Sequence, residues 1–270
     1  MWSTIEYDVA ERIGRLRLNR PEVLNAIDPT MMREIGEALR LADLDDTVSA
    51  VVLSGQGRAF GTGYDLKYDW SREKRSNDPL DVRDYLARLV AFETTPWDCA
   101  KPVIAMVHGH CLAGSCELAM MCCVTFASDD AVFGEPEIRF STTAPALVMP
   151  WIVGLKKARE LLYTGETIDA ATALDIGMVN RVVPRAELET VTFAYARKLA
   201  AIAPEALRAT KTAINRSAEI MGFRQALAYA NEVNAQLYAT ETEVYRRFRE
   251  IRAEQGLGAA LRWRESQFED

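Results

Sequence analysis

Glu117 stands almost alone. Between positions 103 and 128 nearly every residue is apolar or small, and apart from His108 and His110 it is the one side chain there suited to acid/base work. A carboxylate in such a run is expensive to bury. Burial without a cationic partner raises its pKa, so the group can hold or release a proton near neutral pH, as general acid/base chemistry requires. Glu137 follows 20 positions later, directly after Pro136. The two carboxyls are expected to face one pocket, with the glycine-bearing turn before Glu117 supplying backbone donors. Glu135 lies two positions before Glu137 and could share its side of an extended segment, which makes it a rival. His108 and His110 read as packed or surface residues rather than catalysts.

The elements that must hold these groups can be read from periodicity. Residues 103–107 form a strand whose lack of alternation implies burial on both faces. A helix over 115–123 is apolar on every side and therefore central. The chain returns through 124–127, turns at Ser128-Asp129-Asp130 and extends again through Val132 and Phe133. Upstream, residues 5–9 and 13–18 read as the two strands of an edge hairpin. Asp28-Pro29 starts a helix, an N-cap acceptor followed by proline, with Met32, Ile35 and Leu39 on one face. A short strand over 50–53 leads into RAFGTGYDLK, where Gly61 and Gly63 bring backbone amides close to a ligand or make a plain tight turn. Residues 68–77 read as a loop, and Asp78-Pro79 restarts a helix carrying Tyr85, Leu86, Leu89 and Phe92.

From Lys156 onward the pattern is helical over 156–163, 169–175, 186–202, 204–218, 222–238 and 241–255, interrupted by the apolar Val182-Val183. These helices carry more Leu, Tyr, Phe and Trp than one core absorbs, so a subunit interface is expected. The division is a core over 1–200 and a helical oligomerisation region over 201–270.

With 270 residues, 49% hydrophobic and 26% charged, the chain has the composition of an ordinary soluble globular protein. No apolar run reaches membrane-spanning length. Charges stand where a signal peptide would have its apolar region, so a cytoplasmic location is expected. The five cysteines read as buried reduced thiols, and neither they nor the histidines show zinc-site spacing, so no metal is expected. A formal charge of −7 argues against a nucleic-acid surface.

Several stretches, in order, carry a resemblance: LNRPEVLNAID, RAFGTGYDLK, KPVIAMVHGHCLAGSCELAMMCC, AVFGEPEI, TGETIDAATALDIGMVNRVVP and APEALRATKTAI. On these the chain resembles the enoyl-CoA hydratase/isomerase, or crotonase, family over nearly its whole length. The resemblance implies an α/β fold, a spiral of strand–strand–helix turns whose C-terminal helices make trimers, often paired into hexamers. It implies an acyl-CoA thioester as substrate, with coenzyme A present only as part of that substrate and no resident cofactor. Two backbone N–H groups would hold the thioester carbonyl, at Tyr64 and Gly114. Gly114 precedes a short buried helix, so its amide is an unsatisfied donor suited to a developing enolate oxygen. Glu117 and Glu137 match the two acidic residues of the hydratases, Glu117 taking a proton from water and Glu137 giving one to the α-carbon. Arg58, Ala59, Gly63, Asp65, Leu66 and Lys67 would meet the CoA moiety, Arg262 and Arg264 could meet its phosphates, and Tyr68, Trp70 and Trp97 could line the acyl region.

Four departures stand out: Tyr64 where a small residue is common, Ser115 in place of a glycine, Cys123 in place of an aspartate, and FSTTAPALVMPWIVG after Glu137 where hydratases carry a longer glycine-rich segment. The expected activity is hydration of a 2-enoyl-CoA. Isomerisation, an aromatic acyl-CoA hydratase-lyase and an inactive CoA-binding oligomer remain alternatives.

Overall fold

A computed structural model describes residues 2–268. Strands β1 (Ile5–Ala10) and β2 (Ile13–Leu18) pair antiparallel through a turn in which Glu11 and Arg12 take φ of 52° and 64°. Helix α1 (Pro29–Leu44) begins where the Asp28 carboxylate accepts the Met31 N–H at 2.8 Å, and it buries Met31, Ile35, Ala38 and Leu39. Strand β3 (Ala50–Gly55) is buried throughout and lies parallel to β2. Helix α2 (Pro79–Glu93), capped by Asp78, buries Val82, Leu86 and Leu89, and the short α3 (Thr95–Asp98) follows. Strands β4 (Val103–Val107) and β5 (His110–Leu112), helix α4 (Gly114–Met120), and strands β6 (Val124–Ser128) and β7 (Val132–Gly134) then alternate closely.

The strands form two sheets. One has the order β1-β2-β3-β4-β6-β9, with β9 at Arg181–Val183, and every pairing after the first hairpin is parallel. The other has the order β5-β7-β8, with β8 at Ile168–Asp169. Each turn of chain gives a strand to the first sheet, crosses to the second, and returns through a helix. The segment after β3 makes the same crossing, because Gly61 bridges to Cys111 in parallel beside β5. This is a spiral of strand–strand–helix units, and the core fills the space between its sheets and α1, α4 and α5 (Met149–Thr164).

The helical remainder comprises α6 (Ala170–Asp175), α7 (Leu188–Ala200), α8 (Pro204–Ile220), α9 (Phe223–Ala239), α10 (Glu243–Gln255) and α11 (Leu257–Glu265). Helix α5 starts well before the expected position 156. Its first turn is separated from the rest by Gly154, whose φ of 77° breaks the helical path and hides the periodicity from a sequence reading. The central helix is shorter than expected: it stops at Met120, and the following turn leaves Cys123 exposed, unlike Cys99, Cys111 and Cys116. Helix α11 was not expected; Gly256, at φ 86°, divides it from α10. Among the described residues no helix is long and apolar enough to cross a membrane.

Candidate active site

Two backbone segments meet in front of α4. Around Tyr64, the Ile27 N–H donates to the Gly63 carbonyl and the Asp65 N–H to the Ile27 carbonyl, each at 2.8 Å. That alternation turns the Tyr64 N–H away from Ile27. No acceptor among the described residues takes it. Gly114 opens α4, so its N–H has no intrahelical acceptor. The segments touch at Gly63, which sits at φ 79°; a Cβ there would fall 2.4 Å from Ala113 Cβ and 3.2 Å from the Gly114 nitrogen. Ser115 joins them from behind, its Oγ accepting the Gly63 N–H at 3.0 Å. The hydroxyl that departs from the family pattern thus clamps the two amide-bearing segments together.

Four carboxyls lie beside these amides. Glu117, in the first turn of α4, is fully buried, and its Oε1 accepts the Ala146 N–H at 2.7 Å. Glu93, the last residue of α2, is equally buried, and its Oε1 accepts the Tyr64 hydroxyl at 2.5 Å. The Glu93 and Glu117 carboxyls also act on each other electrostatically. Glu135 ends the approach to the 3-10 turn Pro136–Phe140, which carries Glu137, and none of their four carboxyl oxygens has a partner among the described residues. No salt bridge reaches any of the four among the described residues.

Electrostatics follow from that burial without cations. Burial pushes Glu117 well above the usual carboxyl range, and the charges of Glu93, Glu135 and Glu137 add to it. Glu137 is pushed up to about 7 by burial. Burial pushes Glu93 up to about 8 against the opposing hydrogen bond from Tyr64. Glu135 is raised by burial and then by Cys116 and Glu137. The expected pair is therefore brought together, in company with two further glutamates. Glu93 was not anticipated, although its signal is in the sequence: it continues the buried stripe Val82, Leu86, Leu89 of α2 at helical spacing, a carboxyl where a core residue belongs.

The segment after Glu137 is stitched to α9. Thr143 Oγ1 donates to Asn234 Oδ1 at 2.5 Å, Asn234 Nδ2 donates to the Ala144 carbonyl at 2.9 Å, and the Tyr238 hydroxyl to the Thr143 carbonyl at 2.7 Å. Tyr64 fills space that a small residue leaves open: its ring would come within 2.7 Å of a Cβ at Gly114, and it meets Trp70 edge-on at 5.2 Å. Tyr68 packs on the same Trp70, while Trp97 stacks on Phe223.

Of the residues expected to meet CoA, Arg58, Leu66 and Lys67 are exposed, and Ala59 and Gly63 are buried. Asp65 is engaged internally, paired with Arg20 at 3.0 Å and accepting the Lys67 N–H at 2.8 Å, so its carboxylate shapes the loop. His108 is held by the Gly57 carbonyl at 3.0 Å, and burial lowers its pKa; His110 is exposed. Arg262 is exposed, whereas Arg264 lies over the Phe140 ring at 3.9 Å. No group of three or more His, Cys, Asp or Glu among the described residues is arranged to hold a metal ion. The arrangement has two amide donors that can polarise a carbonyl and adjacent carboxyls that can move protons.

Comparisons with known proteins point to one family. A family model described as Enoyl-CoA hydratase/isomerase matches residues 8–256. The chain is 36% identical over 245 residues to a probable enoyl-CoA hydratase of Rhizobium meliloti, covering 90% of this chain and 92% of that one. A crystal structure of an enoyl-CoA hydratase/isomerase from Xanthobacter autotrophicus Py2 superposes with a TM-score of 0.95 at 39% identity, covering 100% of both chains. An enoyl-CoA hydratase from Mycobacterium smegmatis superposes at 0.90 with 26% identity, covering 98% of this chain and 94% of that one.

Proposed function

The chain belongs to the enoyl-CoA hydratase/isomerase family, and we propose that it is a hydro-lyase that adds water across the 2,3 double bond of an acyl-CoA thioester. One observation carries the reading: Glu117 and Glu137, with buried oxygens and no cation paired to them among the described residues, lie in one carboxyl cluster beside the Tyr64 amide, which has no acceptor among those residues, and the helix-opening amide of Gly114.

The thioester carbonyl accepts the Tyr64 and Gly114 N–H groups, which draws electron density from C3 and stabilises the enolate oxygen that develops. As the water oxygen bonds to C3, one of its protons passes to the Glu117 carboxylate. The Glu137 carboxyl then gives its proton to C2, and the enolate electrons return to make the C2–H bond. The product is the 3-hydroxyacyl thioester. Glu117 ends with one proton more and Glu137 with one fewer, so a proton must return between them before the next turnover. Arg58 and Lys67, both exposed, would meet the anionic end of CoA.

The same reading includes a homotrimer or hexamer, with residues 201–270 as the assembly region. Ile214, Ile220 and Met221 of α8 and its end, and Tyr229 of α9, stand 62–76% exposed, an apolar surface that a partner subunit would cover. The test is to mix the protein with short, medium and aromatic 2-enoyl-CoA thioesters and follow loss of the conjugated absorbance. Turnover that falls sharply in both Glu117→Gln and Glu137→Gln supports hydration. Isomerase activity that survives Glu137→Gln, or tight CoA binding with no turnover on any thioester, would overturn it.

A further inference from the structure

The Gly114 Cα faces an aromatic ring. A Cβ there would fall 2.7 Å from Tyr64 Cε2, 3.2 Å from Tyr64 Cδ2 and 3.1 Å from Glu93 Oε1, so the phenol ring and the carboxyl together cover this point on α4. Glu117 stands three residues further along the same helix. Side chains at that spacing share a face, and each leans toward the helix N-terminus. The Tyr64 ring and the Glu93 and Glu117 carboxyls therefore border one space, which the hydration steps above fill with the carbons next to the thioester.

The ring is fixed in that position from several sides. Its hydroxyl donates to Glu93 Oε1 at 2.5 Å, and its edge meets Trp70 with centroids 5.2 Å apart. Trp70 is pinned in turn: Nε1 donates to the Asp65 carbonyl at 2.9 Å, and Tyr68 and Tyr85 flank the indole at 5.0 Å and 6.4 Å. Val82, Leu86 and Leu89 of α2, with Ala235 and Tyr238 of α9, pack with Tyr64 and Trp70 in one apolar cluster. Forcing further methylenes into a filled cluster is destabilising, because side chains must leave their rotamers to admit them.

Room for a longer chain exists, but on the other side of Trp70. A cavity of about 280 Å³ opens between α1, α2 and the 3-10 turn Trp70–Glu73, with Met32, Trp70, Tyr85, Leu89 and Phe92 supplying its apolar lining. Trp70 lines this cavity and touches Tyr64 as well. The two rings thus stand between the cavity and the face of α4 that carries Glu117.

We propose that the Tyr64 side chain, held by Glu93 and backed by Trp70, is the specificity-determining wall of the acyl site and admits only short acyl groups. A chain that ends soon after the reacting carbons stops against the ring, whereas a longer one meets the ring before it reaches the cavity. Where the acyl group lies rests on the hydratase reading, in which the Tyr64 and Gly114 amides hold the thioester oxygen.

Calorimetric binding of butanoyl-CoA and decanoyl-CoA, saturated thioesters that cannot be hydrated, tests the wall without turnover. Wild type should bind butanoyl-CoA about 100-fold more tightly than decanoyl-CoA. Tyr64→Ala should narrow that preference by about 10-fold or more, and adding Trp70→Ala, which joins the site to the cavity, should abolish or reverse it. Tyr64→Leu keeps an apolar side chain in the cluster and should narrow the preference in the same direction, so the test survives if the alanine variant does not fold. The preference is a ratio, and a general weakening of the loop cancels from it. Equal affinity for the two thioesters in wild type, or a preference that neither Tyr64 variant moves, would overturn the proposal. In a parallel assay, kcat/KM on 2-butenoyl-CoA against 2-decenoyl-CoA should follow the same order across the variants. Absence of hydration on both would remove the hydratase reading while the binding ratio still decides on the wall; hydration with tighter binding of decanoyl-CoA would remove the wall alone.

Discussion

The Ala146 N–H donates to Glu117 Oε1 across 2.7 Å, so the segment that departs most from the family pattern is bonded to the carboxyl at the centre of the site. That segment does not hold itself in place. Pro145 precedes the donating residue, and the carbonyls of Thr143 and Ala144 are fastened by Tyr238 and Asn234 of α9. A helix some 90 residues later thereby sets the geometry of Glu117.

Asn234→Ala should show this dependence. It removes the donor to the Ala144 carbonyl and the acceptor of the Thr143 hydroxyl in a buried setting, at a cost of about 2 kcal/mol. Chemical denaturation should show that loss as a lower midpoint with an unchanged slope. In hydration assays kcat should fall more than KM rises, because Ala146 loosens against Glu117 while the thioester amides stay in place.

Stability should depend on pH in a direction unusual for glutamates. Glu137 is raised to about 7 and Glu93 to about 8, against an ordinary value of 4.5. Between pH 4.5 and 8 the folded state therefore binds more protons than the unfolded chain, and stability falls as pH rises. The stabilisation is fully present below the unfolded value and is lost through the folded values, by up to about 1.4 kcal/mol per pH unit for each proton concerned. Urea midpoints should decline from pH 5 to about 8 and level off above it, and Glu137→Gln should flatten the part of the decline that lies below about pH 7. Midpoints that rise over this range would contradict the burial of these carboxyls.

How much of this was legible in the sequence depended on whether the signal was local. Asp28-Pro29 and Asp78-Pro79 marked their helix starts because a capping carboxylate and a proline act within one turn. Glu117 announced itself as an ionisable group inside an apolar run, and the structure buries it completely. Glu93 was hidden by distance: its importance comes from Tyr64 and Glu117, 29 and 24 positions away, and from a helix stripe on which it looks like one more interior position. Ser115 read as a lost glycine, because a hydroxyl's value depends on where Gly63 lies across the spiral. Helix α5 was read late because Gly154 interrupts the only pattern that could have revealed its first turn.

The amide pair yields the sharpest test of the thioester reading. Gly63 sits at φ 79°, and a methyl group there would overlap Ala113 Cβ at 2.4 Å and crowd the Gly114 nitrogen at 3.2 Å. Gly63→Ala should cost about 1–2 kcal/mol from the left-handed backbone alone, and relief of the overlap must move residues 63–64 away from 113–114. That shift would part the Tyr64 and Gly114 amides. If they hold the developing enolate, kcat should fall about 100-fold or more, with the pH profile unchanged because Glu117 and Glu137 are not touched. Glu117→Gln makes the contrasting comparison: it leaves the amides in register, so binding of a CoA thioester should survive while hydration is lost. A Gly63→Ala protein that folds, binds and hydrates like wild type would show that the two amides do not act on the substrate together.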